Sequence, residues 1–222
     1  RLSGTMPSIN TYIKECDLSA EARSSGLGMH ENVYNTIIED CTIAGATMYG
    51  TVEINRCTFI DTARVSDLAT VSFRGSHNPD WAKLRIRDSK FPVGNGVGLI
   101  LREPIPQQPI QAFDNIIGSI EIYNCEGGRL QYTPLITETI LSNTINQIII
   151  DGWRNCYEIH RDPATNTIKY MSVNNSVFTH PVWLNDHRSN FADAGIVFLK
   201  HRNDYPQMDI INVKDTSVMF II

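Results

Sequence analysis

The side chains that could do chemistry in this 222-residue chain recur at one kind of place, where a short alternating apolar segment runs into charge. Met29-His30-Glu31, Phe73-Arg74 with His77, Leu101-Arg102-Glu103 and Leu130-Gln131-Tyr132 are four such places, and Ile159-His160-Arg161-Asp162 and Leu199-Lys200-His201-Arg202 are two more. Arginine offers a planar fork to carboxylate or phosphate, and tyrosine offers a flat apolar face with a hydroxyl. That set suits an extended anionic or hydroxyl-rich polymer, with Arg74, His77, Arg102, Tyr132, His160, Arg161, Lys200, His201 and Arg202 as binding residues. Hydrolysis of a glycosidic bond needs two carboxyls about 5–9.5 Å apart. The candidates are Glu103 with Glu31, and Glu158 with Asp162, beside Arg and His: Arg74 and Arg102 would orient acidic groups of the ligand, and a neighbouring His would assist proton transfer. The competing reading is that these charges are only the solvated ends of core strands.

Other chemistries have no footing. The chain has no CxxC pair, zinc-finger spacing, HExxH, GxSxG or EF-hand loop, so no cofactor and no metal are expected. Gly94-Asn-Gly-Val-Gly98 is dense in glycine but no helical pattern follows it, as a phosphate loop would require.

The elements that must position these residues come from a repeat. Gly50-Thr-Val-Glu-Ile-Asn-Arg-Cys-Thr-Phe59 reads as apolar-x-apolar, two polar residues, then Cys-x-apolar. The pattern recurs around Cys16, Cys41, Ser89, Cys125, Ser176 and Thr216, with Trp153-Arg-Asn-Cys156 as a degenerate copy. All five cysteines thus occupy one slot, at spacings of 25, 16, 32, 36, 31, 20 and 40 residues counted through the Ser and Thr copies. Period-two alternation predicts strands with one face in a core. The residue before the slot is Glu15, Asp40, Arg56, Asp88, Asn124, Asn155, Asn175 or Asp215. Most are Asn or Asp, which tolerate a left-handed backbone, so a tight bend is expected there. A small, weakly polar slot residue can then point inward, and buried reduced thiols are expected, since free cysteine behaves as a small hydrophobe. Because Ser176 fills the slot, glycosylation at the Asn174-Asn-Ser176 sequon is not expected.

Repeats of this size signal a solenoid. With strands and no helical segments, the expectation is an all-β, right-handed single-stranded parallel β-helix of about eight coils with three short strands each. One domain, 1–222, accommodates it. The formal charge of −5 argues against a nucleic-acid partner, and no apolar run is long enough to span a bilayer. A chain that opens without Met and closes on the strand-like Val218-Met-Phe-Ile-Ile222 is expected to be a piece of a longer protein. Unpaired thiols fit synthesis in a reducing compartment. The apolar excursions 105–110 and 134–141 suggest a surface covered by another subunit.

The strand–Asn–Cys/Ser–strand repeat resembles the pectate-lyase-like right-handed parallel β-helix superfamily, and its irregular coil lengths look most like the shaft of a phage tailspike or tail appendage. The resemblance implies a homotrimer in the virion tail, made in the host cytoplasm, that binds or cleaves host surface polysaccharide through acidic residues in a groove. The calcium-carboxylate cluster and arginine base of pectate lyases have no counterpart in the sequence, which sets strict pectate-lyase chemistry aside. Two alternatives stay open: a non-catalytic structural or adhesive shaft, and a secreted bacterial polysaccharide lyase, hydrolase or epimerase.

Overall fold

The computed structural model describes residues 10–18, 27–28, 35–60, 71–76, 78–92, 99–102, 113–132, 140–156, 159–161, 166–168, 170–176, 197–199, 207–211 and 219–221. It is an all-β protein built from parallel sheets. Its long sheet has eight strands in the order Thr11–Lys14, Thr36–Glu39, Thr51–Asn55, Lys83–Arg87, Ser119–Tyr123, Ile148–Asp151, Tyr170–Asn174 and Gln207–Ile211. Spatial order follows chain order, with other strands between each pair, so each repeat contributes one strand to the sheet. A second, six-stranded sheet runs from Leu27–Gly28 through Ala46–Met48, Val71–Arg74, Leu99–Arg102 and Leu130–Tyr132 to Ile159–Arg161. Smaller sheets join Asp17–Leu18, Thr42–Ala44 and Thr58–Ile60, and Phe113–Ile117, Ile140–Ile145 and Asn166–Ile168. Among the described residues the one helical segment is the short 3-10 turn Pro79–Trp81, and no helix is long and apolar enough to cross a membrane.

The apolar alternation sets the register. Ile13, Ile38, Ile54, Ile86, Ile122 and Ile150 are direct partners from strand to strand, and the column continues in register through Val173 and Ile210. From Ile38 to Ile150 these isoleucines are fully buried, each worth roughly 1.5–3 kcal/mol. A one-residue slip would turn the whole column outward, so register is strongly fixed.

The bend is where the sequence placed it. Glu15, Asp40, Arg56, Asp88, Asn124 and Asn175 all have φ between 47° and 54°, while Asp215 lies outside the described residues. Each slot residue then turns inward. Cys41, Cys57, Ser89, Cys125 and Ser176 are buried, and Cys16 is half-buried. Slot side chains also satisfy backbone donors: Ser89 Oγ accepts from the Cys57 amide at 3.1 Å, and Cys41 Sγ from the Cys16 amide at 3.4 Å. Loss of solvent raises the thiols of Cys57 and Cys125 to about 11 and about 12.

The degenerate copy is a correction. Asp151 pairs with Tyr123 and Asn174, so the bend residue of that repeat is Gly152, at φ 73°, and the slot residue is Trp153. The Trp153 amide donates to Ser176 Oγ at 3.1 Å, the slot-to-slot bond seen elsewhere. Cys156 is buried but stands three residues beyond the slot, after a second left-handed residue, Asn155. The tryptophan has a local reason. Two places after the slot, Ile43, Phe59 and Phe91 fill the core, whereas the next repeat has Gly127. Gly127 sits at φ 74°, where a Cβ would lie 2.4 Å from the Phe91 carbonyl oxygen. The indole occupies this neighbourhood instead, 6.0 Å from the Phe91 ring and donating to the Gly127 carbonyl at 2.8 Å.

Of the excursion 134–141, Ile140 and Leu141 open the strand Ile140–Ile145, which pairs with Phe113–Ile117. Residues 105–110 and 134–139 lie outside the described residues.

Candidate functional site

The carboxyls chosen from sequence, Glu31, Glu103, Glu158 and Asp162, lie outside the described residues, as do His77, Lys200, His201 and Arg202. The others stand on the second sheet. Arg74 and Arg102 are direct cross-strand partners, as the stacked column requires. Arg74 is half-buried, with its guanidinium 5.9 Å from the ring centroid of Tyr49, which is itself buried. Tyr132 and Arg161 pair with each other but one position earlier, at the register of Leu101 and Phe73. His160 pairs with Gln131, a further position back. Apolar pairing of Leu130 with Leu99 sets this alignment, so the charged strand ends do not all fall into one column.

A more continuous arrangement lies on the outward face of the long sheet. One column runs Tyr12, Ile37, Glu53, Arg85, Glu121, Ile149 and a second runs Lys14, Glu39, Asn55, Arg87, Tyr123, Asp151, all in register. Neighbouring rows are about 4.8 Å apart, the spacing of paired strands. Sequence reasoning assigned these residues no role; the signal that could have found them is the side-chain content of the x in each apolar-x-apolar unit.

The polar groups on this face order one another. Tyr12 donates its hydroxyl to Glu39 Oε2 at 2.7 Å, and Asn55 Nδ2 donates to both Glu39 Oε1 at 3.1 Å and Glu53 Oε1 at 3.3 Å. These bonds, Tyr12's first, hold the Glu39 carboxyl below its usual range, and Glu39 in turn raises the Tyr12 phenol. Arg56 reaches round from the bend to Asp40 through two bonds of 2.8 and 3.1 Å, lowering that carboxyl also. Farther along, Arg85 Nε is 2.7 Å from Glu121 Oε2, which also accepts from Tyr123 at 3.3 Å. Burial, then Glu121, raises the Tyr123 phenol. Arg87 lies over the Tyr123 ring at 5.4 Å, a cation–π geometry.

At one end the face deepens into a cleft of about 340 Å³ lined by Asn10, Tyr12, Asn35, Ile37, Thr51 and Glu53. Tyr12 and Ile37 are two of the three large apolar side chains exposed among the described residues; the third, Trp81, adjoins Asp80, whose carbonyl accepts from the Thr51 hydroxyl at 3.4 Å. An aromatic ring and an aliphatic side chain flanked by amides, a hydroxyl and a carboxylate can hold a ligand with alternating C–H and O–H faces. Among the described residues no group of three or more His, Cys, Asp or Glu is placed to hold a metal ion.

No protein-family model, curated protein or solved structure matches the chain.

Proposed function

We propose that the chain is a right-handed parallel β-helix of a trimeric phage tail appendage, and that it binds host surface polysaccharide along the outward face of the long sheet. The every-third-strand order of the first seven strands of the long sheet and their parallel pairing support the coil, and right-handed crossovers are the rule for such connections, at about 98%. The observation that carries the binding reading is the register of Tyr12, Ile37, Glu39, Glu53, Asn55, Arg85, Arg87, Glu121 and Tyr123 across five adjacent strands. It forms an extended platform with a tyrosine ring near each end and hydrogen-bonded polar groups between them, a form suited to a linear glycan. Titrating the protein with a panel of capsular and cell-wall polysaccharides tests it. Tyr12→Ala and Arg87→Ala should each weaken binding about tenfold, the loss expected of an interface anchor. Equal affinity in both variants would move the site to the Arg74–Arg102 edge, where Arg74→Ala and Arg102→Ala become the decisive changes.

The pair Glu39 and Glu53 favours cleavage as a second reading. One amide nitrogen bonded to both at 3.1 and 3.3 Å keeps those oxygens well under the roughly 9.5 Å limit for paired catalytic carboxyls. Glu53→Gln should then abolish chain shortening while leaving binding intact; shortening undiminished in that variant would refute the assignment.

A further inference from the structure

On the corner where the long sheet bends lies a second cleft, of about 440 Å³, lined chiefly by Asp88, Lys90, Asn124, Glu126, Gly152 and Arg154. It is made by two short columns in register. Asp88, Asn124 and Gly152 are successive bend residues, all with positive φ. Lys90, Glu126 and Arg154 are successive bridge partners just beyond the slot. The bend column changes there from side chains to glycine: a Cβ at Gly152 would lie 2.8 Å from Asn124 Oδ1, so the Asn124 side chain already takes that place and Gly152 adds no side chain to the cleft wall.

The charge pattern is specific. Two cations and two carboxylates share one concavity, and among the described residues none of the four enters an ion pair. Glu126 accepts a hydrogen bond from Asn155 at 3.3 Å, which holds it in place. Lys90 and Arg154 stand on either side of Glu126 along their column. A lone anion placed between the two cations would therefore meet the Glu126 carboxylate, and a lone cation would meet the ammonium and guanidinium. A ligand carrying both signs meets neither obstacle. Its carboxylate takes the Arg154 fork or Lys90, and its ammonium takes Glu126 or Asp88, through charge-assisted hydrogen bonds.

We infer that this corner cleft is a binding site for a zwitterionic residue, an ammonium and a carboxylate borne on one small unit. Such a unit can be an amino-sugar acid or an amino acid. The site is separate from the Tyr12 face, and it stands or falls independently of the glycan reading.

Calorimetric titration of the whole chain with muramic acid, glucosamine, glucuronic acid and alanine tests this. The first probe carries both charges on a sugar, the next two carry one sign each, and the last carries both without a sugar. Muramic acid should bind about tenfold or more tightly than glucosamine and glucuronic acid, and Lys90→Met/Arg154→Met should reduce it to the glucosamine level. Glu126→Gln with Asp88→Asn should reduce it to the glucuronic acid level. Alanine binding as well as muramic acid identifies the paired charges alone as the ligand; binding of muramic acid only identifies the amino-sugar acid. Equal binding of all four probes, absence of muramic acid binding, or indifference to Lys90→Met/Arg154→Met overturns the proposal. Tyr12→Ala should leave muramic acid affinity unchanged, and its loss there would place the ligand on the long-sheet face instead.

Discussion

Replacing Trp153 by cysteine, the commonest residue in that slot, should damage this protein although it restores the sequence pattern. Trp153 is fully buried, and removing a buried tryptophan side chain costs about 3–5 kcal/mol. Cysteine recovers only a little of that volume. Nothing nearby can fill the space, because the adjacent Gly127 cannot accept a side chain against the Phe91 carbonyl. The Gly127 carbonyl would also lose its 2.8 Å donor, and an unmet buried acceptor costs about 1–3 kcal/mol. We therefore expect Trp153→Cys to lose about 4 kcal/mol, and Trp153→Phe, which keeps most of the ring, to lose about half of that. Urea unfolding followed by circular dichroism measures this directly. At a slope of about 2 kcal/mol/M the two midpoints fall by roughly 2 M and 1 M. A Trp153→Cys protein within 1 kcal/mol of the parent would refute the argument, and would mean that the repeat tolerates its usual residue there.

Other consequences are as direct. Asn124 has φ 52°, so Asn124→Gly should be tolerated, whereas Asn124→Val should cost about 1–2 kcal/mol or more by urea unfolding. The thiols of Cys57 and Cys125 are raised to about 11 and about 12. Their contribution to stability is therefore complete below the unfolded value of about 8.5 and is lost as pH climbs towards the folded values; unfolding midpoints should fall above pH 9, and less so in Cys57→Ser/Cys125→Ser. Native alkylation should reach half-buried Cys16 first, and equal rates at Cys16 and Cys125 would contradict the burial. Sedimentation should show a trimer, and a monomer persisting at high concentration would count against the tail-appendage reading.

The backbone plan was legible because two local signals repeat in phase. Alternating isoleucine and valine announce a one-faced strand, and Asn or Asp before a small residue announces a left-handed bend. Where the signals parted, the reading went astray. In Asp151-Gly-Trp-Arg-Asn-Cys156 both Gly152 and Asn155 are left-handed, and a cysteine after an asparagine outweighed a tryptophan after a glycine. Only the pairing of Asp151 with Tyr123 and Asn174 decides between them. The tryptophan itself answers a vacancy left by Gly127, 26 residues earlier, and no local pattern carries that information.

The site was less legible for a related reason. Period two says which side chains face outward but not which outward side chains meet. Tyr12 touches Glu39 across 27 positions, and Arg85 touches Glu121 across 36, so the face exists only once register across unequal repeats is known. Charge at strand ends was easier to see, and it drew the reading to a column that register partly dissolves, since Tyr132 aligns with Leu101 and not with Arg102. What the sequence did contain is the order of charge along the long-sheet face. Glu39 and Glu53 lie on successive strands, Arg85 and Arg87 share the next one, and Glu121 and Asp151 follow on the two after it. A linear ligand lying across them would meet these charges in a fixed order. Reversing one contact, by Arg87→Glu, should then weaken anionic glycans more than neutral ones, and the difference should shrink as salt screens the exposed charge over about 8–10 Å.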